Sequence, residues 1–161
     1  LGHRPFNVIR HDQVGKLFSV MYNALKPGGG FFCRGNVKFP DHVDVLDQII
    51  EKWGLAKDRP YPMFSYIEVA LYMHCSDEQG YLDYPKCRAV MKEYFDAGKV
   101  TESDYRLIQP LISMAEGTKF RAFVPKEELE KNIRSAGFTG VEWHFTSHEF
   151  TKNMPIIKLT K

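Results

Sequence analysis

The stretch Asn23-Ala-Leu-Lys-Pro-Gly-Gly-Gly-Phe-Phe-Cys33 decides which fold we expect for this chain. Apolar residues recur at helical spacing over residues 14–25, which predicts an amphipathic helix. Gly28–Gly30 stop this helix, because glycine tolerates the left-handed conformation that helix C-termini use. The apolar run Phe31–Val37 predicts a strand immediately afterwards. A helix, a tight turn and a strand in this order are typical of an α/β protein.

Elements on both sides of this stretch continue the alternation. Upstream, the apolar run Phe6–Ile9 predicts a buried strand, and Asp12 is placed to cap the helix that follows. Downstream, residues 38–119 show helical spacing with frequent breaks, including a helix expected to begin near Asp41. A later helix closed by Gly137 precedes two strands that we expect to form an antiparallel hairpin. The two strands of that hairpin are Val141–Phe145 and Met154–Leu159.

Length and composition indicate a soluble globular domain with its own core. The chain has 161 residues, of which 43% are hydrophobic and 26% are charged. Its net charge of +2 gives no electrostatic basis for binding nucleic acid or an anionic membrane, so we expect neither as a partner. The apolar runs are too short to cross a bilayer.

The cysteine and histidine patterns argue against a disulfide framework and against a metal site. Cys33, Cys75 and Cys87 are odd in number and lack Cys-x-x-Cys spacing. The six histidines form no metal motif, and His144 alternates with apolar residues, so we expect it to face solvent. We therefore expect a reduced, cytoplasmic protein that holds no metal ion.

Four pieces of the chain, in the same order, resemble class I S-adenosylmethionine-dependent methyltransferases. Phe6-Asn-Val-Ile9 resembles that family's fourth strand, which often reads FDVI, and Asn23–Cys33 resembles the entry into its fifth strand. Glu-Glu-Leu-Glu-Lys-Asn-Ile-Arg-Ser-Ala-Gly-Phe, residues 127–138, resembles the family's last helix. The hairpin resembles its sixth and seventh strands, of which the seventh is reversed.

The resemblance implies an α/β fold with a partial Rossmann-like methyltransferase sheet, a C-terminal antiparallel hairpin and a helical insertion that acts as a lid. Residues 1–37 would form the second half of the Rossmann-like core, and residues 38–119 would form the insertion. Residues 120–161 would supply the C-terminal helix and hairpin. The implied cofactor is S-adenosylmethionine, and the implied reaction is methyl transfer to a small aromatic or apolar acceptor.

Two departures from the family pattern lead us to expect that residues are missing before Leu1 or between Ile9 and Val14. The glycine-rich loop and the acidic residues that hold the cofactor precede the fourth strand, and nothing in this sequence corresponds to them. Gly28–Gly30 cannot replace that loop, because they follow a helix and enter a strand. The connection that includes the helix after Ile9 is also shorter than the family's usual one.

Candidate site residues follow the first two strands at their carboxyl ends, where ligands bind in open α/β sheets. Arg10 and His11 come after the first strand, and the resemblance places them near the cofactor. His11 is also a candidate catalytic base, because imidazole exchanges protons near neutral pH. Arg34 and Asn36 come after the second strand and are candidate substrate-binding residues. The alternative for each is a solvated or purely structural loop side chain.

The insertion is rich in aromatic residues that could line an acceptor pocket, because aromatic rings give large apolar contact with a few polar tips. Tyr61, Phe64 and Tyr72 are therefore candidate substrate-binding residues. The alternative is that they form the insertion's own core. His74 lies beside them in the sequence and is a candidate for both substrate binding and base catalysis.

Two function classes remain open from the sequence. The first is a small-molecule methyltransferase to which this chain supplies the acceptor side. The second is a non-catalytic, methyltransferase-like module that binds a partner chain or an apolar ligand. In that case the sheet edge beside Phe6–Ile9 would be covered by another chain, for example in a homodimer. A methyltransferase acting on macromolecules is a weaker third class, and the charge balance disfavours nucleic acid as its substrate.

Overall fold

The computed structural model of the protein describes residues 2–3, 5–59, 63–113, 120–145 and 153–161, without the side chains of residues 2–3 and 63–66. The chain divides into two compact units. Unit 1 comprises Leu1–His42 and Arg121–Lys161, and unit 2 comprises Val43–Phe120. Unit 2 overlaps the insertion that the sequence places at residues 38–119.

The described residues form a mixed α/β structure. The strands are β1 (Gly2–His3), β2 (Gly30–Arg34), β3 (Val37–Lys38), β4 (Val124–Pro125), β5 (Gly140–His144) and β6 (Ile156–Thr160). The α-helices are α1 (Val14–Ala24), α2 (Leu46–Trp53), α3 (Met63–His74), α4 (Tyr84–Asp96), α5 (Glu102–Ile112) and α6 (Lys126–Ser135). A short 3-10 helix at His11–Gln13 leads into α1. None of the helices in the described part of the chain is both long and apolar enough to span a bilayer.

The main sheet of unit 1 has the strand order β1-β2-β6-β5. β1 runs parallel to β2, whereas β6 runs antiparallel to both of its neighbours, β2 and β5. In this register Cys33 lies opposite Ile157, which lies opposite Trp143. The predicted antiparallel hairpin is therefore confirmed. β3 and β4 form a separate parallel pair.

The core of unit 1 lies on one face of this sheet, against α1 and α6. Cys33 of β2 and Ile157 and Leu159 of β6 are buried on this face, with Phe31 partly buried beside them. Phe32 and Lys158 alternate with them and point to the opposite face. Each of the two helices packs with the apolar stripe that the spacing of its apolar residues predicts. The buried members of this core from the helices are Val14, Phe18, Leu129 and Ile133.

The predicted strand at Phe6–Ile9 is wrong. The residues form a turn and a bend, and the strand that pairs with β2 lies earlier, at Gly2–His3. Phe6 is buried, but Val8 is 73% exposed, so the apolar run does not lie in the core as a unit. The side chain of Asn7 instead hydrogen-bonds to backbone groups, which holds the turn closed.

Two predicted helix starts also differ from the structure. Asp12 does not cap α1, because its carboxylate accepts hydrogen bonds from Arg10 and Gln13 within the 3-10 helix region. The helix expected near Asp41 begins only at Leu46, whose amide donates to Asp44 Oδ1 at 3.0 Å. An Asx-type turn thus precedes α2 in place of a longer helix.

Unit 2 consists of helices α2 to α5 around their own apolar core. Each helix has a local start or stop signal that the sequence predicts, such as Pro85 in the first turn of α4 and Gly98 after it, with φ of +67°. Thr101 caps α5 by accepting a hydrogen bond from the Asp104 amide at 3.2 Å. α5 continues through Pro110 to Ile112. The fully buried side chains of this core include Ile67, Leu71, Met91, Ile108 and Ile112.

Candidate functional site

The carboxyl ends of β1 and β2 are joined by a pair of buried asparagines. Asn36 is 2% exposed, and its amide donates to Asn7 Oδ1 at 2.8 Å. Asn7 Nδ2 in turn donates to the carbonyls of Asn36 and Ala122, at 3.1 and 3.2 Å. The predicted substrate residue Asn36 therefore has a structural role at this edge of the sheet.

Asn36 also carries an acceptor that the described chain leaves unused. Its side-chain oxygen Oδ1 is buried and has no hydrogen-bond partner among the described residues. An unsatisfied buried acceptor destabilises a fold until a donor reaches it. Its predicted role in substrate binding stays a prediction, and this atom is where a donor would act.

Three charged or titratable side chains meet at the start of α1 and α6, and we refer to His11, Arg121 and Glu128 as the His11 cluster. The Arg121 guanidinium donates to Glu128 Oε1 through Nη1 at 2.7 Å and to Oε2 through Nη2, which makes a bidentate pair. The same Nη1 donates to Nδ1 of His11. Arg121 is 8% exposed, so the pair is held largely out of water.

Nδ1 of His11 faces both members of this pair, because it also lies 3.2 Å from Glu128 Oε1. When the ring is neutral and accepts the Arg121 hydrogen bond at Nδ1, its proton is on Nε2. His11 is half exposed, at 50% of its side chain. In this state Nε2 can donate a hydrogen bond to a ligand but cannot accept a proton from one. This state suits an orienting role for His11, and its predicted role as a base stays a prediction.

The Arg121 guanidinium also controls the charge of Glu128. Burial raises the pKa of Glu128, but the hydrogen bond and the positive charge of Arg121, with a smaller contribution from His11, lower it further, so that it lies below the usual 4.5. Glu128 therefore stays ionised throughout the neutral range. Its negative charge compensates the buried guanidinium, which would otherwise be costly.

We expect the stability of unit 1 to fall on the acid side because of this pair. A carboxyl whose folded pKa is depressed stabilises the fold fully above its unfolded pKa, and that stabilisation is lost as pH falls below it. Thermal unfolding between about pH 5 and pH 3 should accordingly show a steeper loss of melting temperature in the natural protein than in Glu128→Gln. Glu127→Gln, which alters the exposed neighbour on the same helix, is the control and should keep the natural slope. If the melting temperature fell equally steeply with pH in all three proteins, Glu128 would not be the source of the acid-side loss of stability.

The two predicted arginines differ in their surroundings. The side chain of Arg10 is 83% exposed and pairs with Asp12 Oδ1 at 3.1 Å. Arg34 is half-buried at the end of β2, and its Nε donates to the carbonyl of Met154 at 3.3 Å. Their predicted cofactor and substrate contacts stay predictions. Arg10 lies on the surface, and Arg34 is hydrogen-bonded to the segment just before β6.

In unit 2, the imidazole of His74 contacts the carboxylate of Asp44. Nδ1 of the imidazole faces Asp44 Oδ2, and the side chain of His74 is 31% exposed. A carboxylate can only accept, so Nδ1 carries the proton and Nε2 is left as the acceptor in the neutral ring. His74 therefore has the tautomer that a general base needs, with a carboxylate that orients it.

The aromatic candidates of the insertion have mixed outcomes. Tyr72 is 6% exposed, its hydroxyl donates to the carbonyl of Leu111 at 2.9 Å, and its ring meets Phe120 edge-on at 6.4 Å. These contacts account for its burial as part of the core of unit 2, which was the alternative reading. Tyr61 and the side chain of Phe64 lie outside the described residues, so their predicted roles stay predictions.

Sequence reasoning missed the partners that give the two histidines their geometry. Arg121 is separated from His11 by 110 residues, and Asp44 from His74 by 30 residues. One signal was present for Arg121, because it is a single charge in the run Phe120-Arg-Ala-Phe-Val124, which is otherwise apolar and, from residue 121 on, buried. A charged residue inside such a run is expected to be paired.

The described residues contain no group of three His, Cys, Asp or Glu side chains that could hold a metal ion. No family model matches the chain. No curated protein matches it.

One solved structure that it resembles is the crystal structure of a possible exported protein from Bordetella parapertussis, at 15% sequence identity and a TM-score of 0.45. The match covers 99% of this chain and 37% of that chain. A likeness at this level carries no argument about fold or function.

Proposed function

We propose that this chain is the acceptor-side part of a class I S-adenosylmethionine-dependent methyltransferase that methylates a small aromatic or apolar molecule. The observation that carries the proposal is the position of the reversed strand β6, which lies between β2 and β5. The resemblance makes β2 the fifth strand, β5 the sixth and β6 the seventh, the reversed one. The parallel pair β1 and β2, joined through α1, supports the same assignment.

The described residues do not fit the cofactor on their own. Glu128 is engaged by both Nη atoms of Arg121, and Arg10 is paired with Asp12, so neither is available to hold ribose hydroxyls or the methionine carboxylate. The turn at Gly28–Gly30, with Gly28 at φ +71°, lies at the amino end of β2, away from the ligand-binding ends of the strands. We therefore assign none of these residues to the cofactor.

Within the proposal, His74 is the candidate base. A hydroxyl acceptor loses a proton when it is methylated, and Nε2 of His74 is an atom of the described residues suited to take it. Asp44 orients the imidazole and stabilises the positive ring that results. His11, whose Nδ1 is occupied by Arg121, would orient a polar group through its Nε2 proton.

We expect His74→Gln to lower the rate of methyl transfer to a hydroxyl acceptor by about 100-fold, because general-base catalysis typically contributes at least that much. Asp44→Asn should cause a smaller loss and change the pH profile of the rate, since the imidazole keeps its place but loses its negative partner. His144→Gln, which alters a half-exposed histidine on β5, should leave the rate unchanged. Rates measured with radiolabelled cofactor over a range of pH check all three variants. A full rate in His74→Gln would remove His74 from the mechanism.

The function itself is tested by titrating the natural protein that contains this sequence with S-adenosylmethionine in a calorimeter. Saturable binding that S-adenosylhomocysteine competes away is the expected result. No binding at millimolar cofactor by a folded protein would overturn the proposal and favour the non-catalytic module that the sequence leaves open.

A further inference from the structure

Two buried cysteines of unit 2 lie side by side although 12 positions separate them in the sequence. Cys75 follows α3 directly, and Cys87 lies in α4. The backbone turns back between them, because the Asp83 amide donates to the Cys75 carbonyl and the Cys87 amide donates to the Asp83 carbonyl, both at 3.0 Å. Both residues are buried, with exposed fractions of 2% and 0%, and both thiols are free.

The two thiols interact directly. A hydrogen bond with Cys75, followed by burial and by the negative charge that Cys75 acquires on ionisation, raises the pKa of Cys87 far above its ordinary value. Cys87 therefore keeps its proton strongly. A thiolate is the form of cysteine that reacts with oxidants, so Cys87 is the poorer nucleophile of the two while both thiols are reduced.

An open cleft is lined by one of the two cysteines. The cleft has a volume of about 730 Å³ and is lined by residues between positions 75 and 86, among them Cys75, Tyr81 and Lys86. Cys87 does not belong to its lining among the described residues. A small solute that enters the cleft thus meets Cys75 first.

We propose that Cys75 and Cys87 form an oxidisable dithiol, which a small hydroperoxide entering this cleft converts into an intrachain disulfide. The Cys75 thiolate attacks one peroxide oxygen, an S–O bond forms as the O–O bond breaks, and the departing oxygen takes up a proton as water or alcohol. Cys87 Sγ then attacks Cys75 Sγ, the S–S bond forms as the S–O bond breaks, and hydroxide leaves with the Cys87 proton as water. The peroxide gains two electrons, and each sulfur loses one.

The disulfide would change the cleft itself, because it closes the loop of residues 76–86 that lines it. A covalent link at the base of a loop removes freedom from the unfolded chain and limits opening of the loop in the folded one. The oxidation state of the pair would therefore set the rigidity of this cleft, whichever reaction the protein catalyses.

Cys33 provides an internal control. It is also buried, at 1% exposure, and burial raises the pKa of its thiol to about 12. It lies in β2 of unit 1, on the core side of the sheet. If oxidation followed only from the presence of a cysteine, Cys33 would react as well.

The test is treatment of the reduced protein with hydrogen peroxide, followed by alkylation in denaturant, peptide mapping and intact mass. We expect the three free thiols to fall to one, Cys33, with a linked peptide pair that contains Cys75 and Cys87 and reverts with dithiothreitol. The melting temperature of the oxidised protein should rise. Three alkylatable thiols after treatment, or a disulfide that includes Cys33, would overturn the proposal.

Two variants separate the roles of the sulfurs, and circular dichroism of the reduced proteins checks that both are folded. Cys87→Ala should leave Cys75 without a resolving thiol, so that Cys75 gains oxygen and becomes sulfinic acid. Cys75→Ala should leave Cys87 reduced under the same treatment. Oxidation of Cys87 in Cys75→Ala at the natural rate would contradict the order of the two steps. If either variant is unfolded, the peptide map of the natural protein alone decides.

Discussion

Phe18→Ala should destabilise unit 1 by about 3 to 5 kcal/mol, the range for deleting a buried phenylalanine ring from a core. Phe18 lies on the inner face of α1, is 0% exposed, and its ring centroid is 6.2 Å from that of Phe6. Truncation removes the ring's apolar contacts and leaves a cavity between α1 and the sheet, which the surrounding strands can fill only in part.

The two tryptophans allow this loss to be assigned to unit 1. Trp143 lies in β5 of unit 1, and Trp53 lies at the end of α2 in unit 2. In a Trp53→Phe background, fluorescence during urea unfolding reports on unit 1 alone, and Phe18→Ala should lower the midpoint strongly. Val20→Ala, on the exposed face of the same helix, is the control and should change the free energy of unfolding by less than about 1 kcal/mol. If Phe18→Ala and Val20→Ala lowered the free energy of unfolding to a similar extent, α1 would pack against the core with a different face.

Gly54→Ala should destabilise unit 2 by about 3 kcal/mol, near the upper end for overpacked sites. A Cβ built on Gly54 would lie 2.1 Å from the carbonyl oxygen of Lys99 and 2.6 Å from that of Ile50. Both atoms belong to the backbone, so relief requires the end of α2 to move away from the segment after α4. The glycine is needed here for close approach, since its φ of −53° is helical.

Gly98→Ala is the matched control for this variant in the same unit. Gly98 has φ of +67°, yet a Cβ there meets nothing within 4 Å. Its replacement should lower the free energy of unfolding only by the strain of a left-handed backbone at alanine, about 1 kcal/mol. Urea unfolding followed through Trp53 in a Trp143→Phe background compares the two midpoints. A loss in Gly54→Ala no larger than that in Gly98→Ala would show that the backbone yields easily at this point.

Regular helices and strands with a clear apolar period were predictable from the sequence. α1 and α6 have a continuous apolar stripe, and the alternation in β5 and β6 matches their half-buried positions. Gly137 follows α6 as predicted. α1, in contrast, ends at Ala24 and the next residue, Leu25, is extended, so the predicted stop at Gly28–Gly30 is wrong. In these elements the local preference and the final packing agree, so a single sequence carries enough information.

The strand at Phe6–Ile9 could not be excluded from its apolar pattern. What decides against it is the side chain of Asn7, which bonds to backbone groups 29 and 115 residues away in the sequence. The late start of α2 has a similar cause, since Asp44 is used by the Leu46 amide and by His74. Polar side chains with distant partners override local preference, and no periodicity reveals them.

The candidate site was predictable only as a set of residue types. His11 was a candidate because it follows a predicted strand. His74 was a candidate because it lies among aromatic residues in the sequence. The contacts of the two rings with Arg121 and Asp44, however, appear only in the folded chain. The sequence thus identifies which side chains can exchange protons, and the tertiary contacts determine which of them has an available acceptor atom.

The position of β6 between β2 and β5 affects how the chain folds during its synthesis. Unit 2 is encoded by one continuous segment and can finish folding while the ribosome is still adding residues. β2, in contrast, waits for Ile156–Thr160 before its second edge is covered. During that interval a nascent chain presents an open strand edge that carries Phe31 and Phe32, and such edges recruit other strands. Slow translation through residues 120–155 would prolong this interval, and a chaperone that binds apolar strands would shield it.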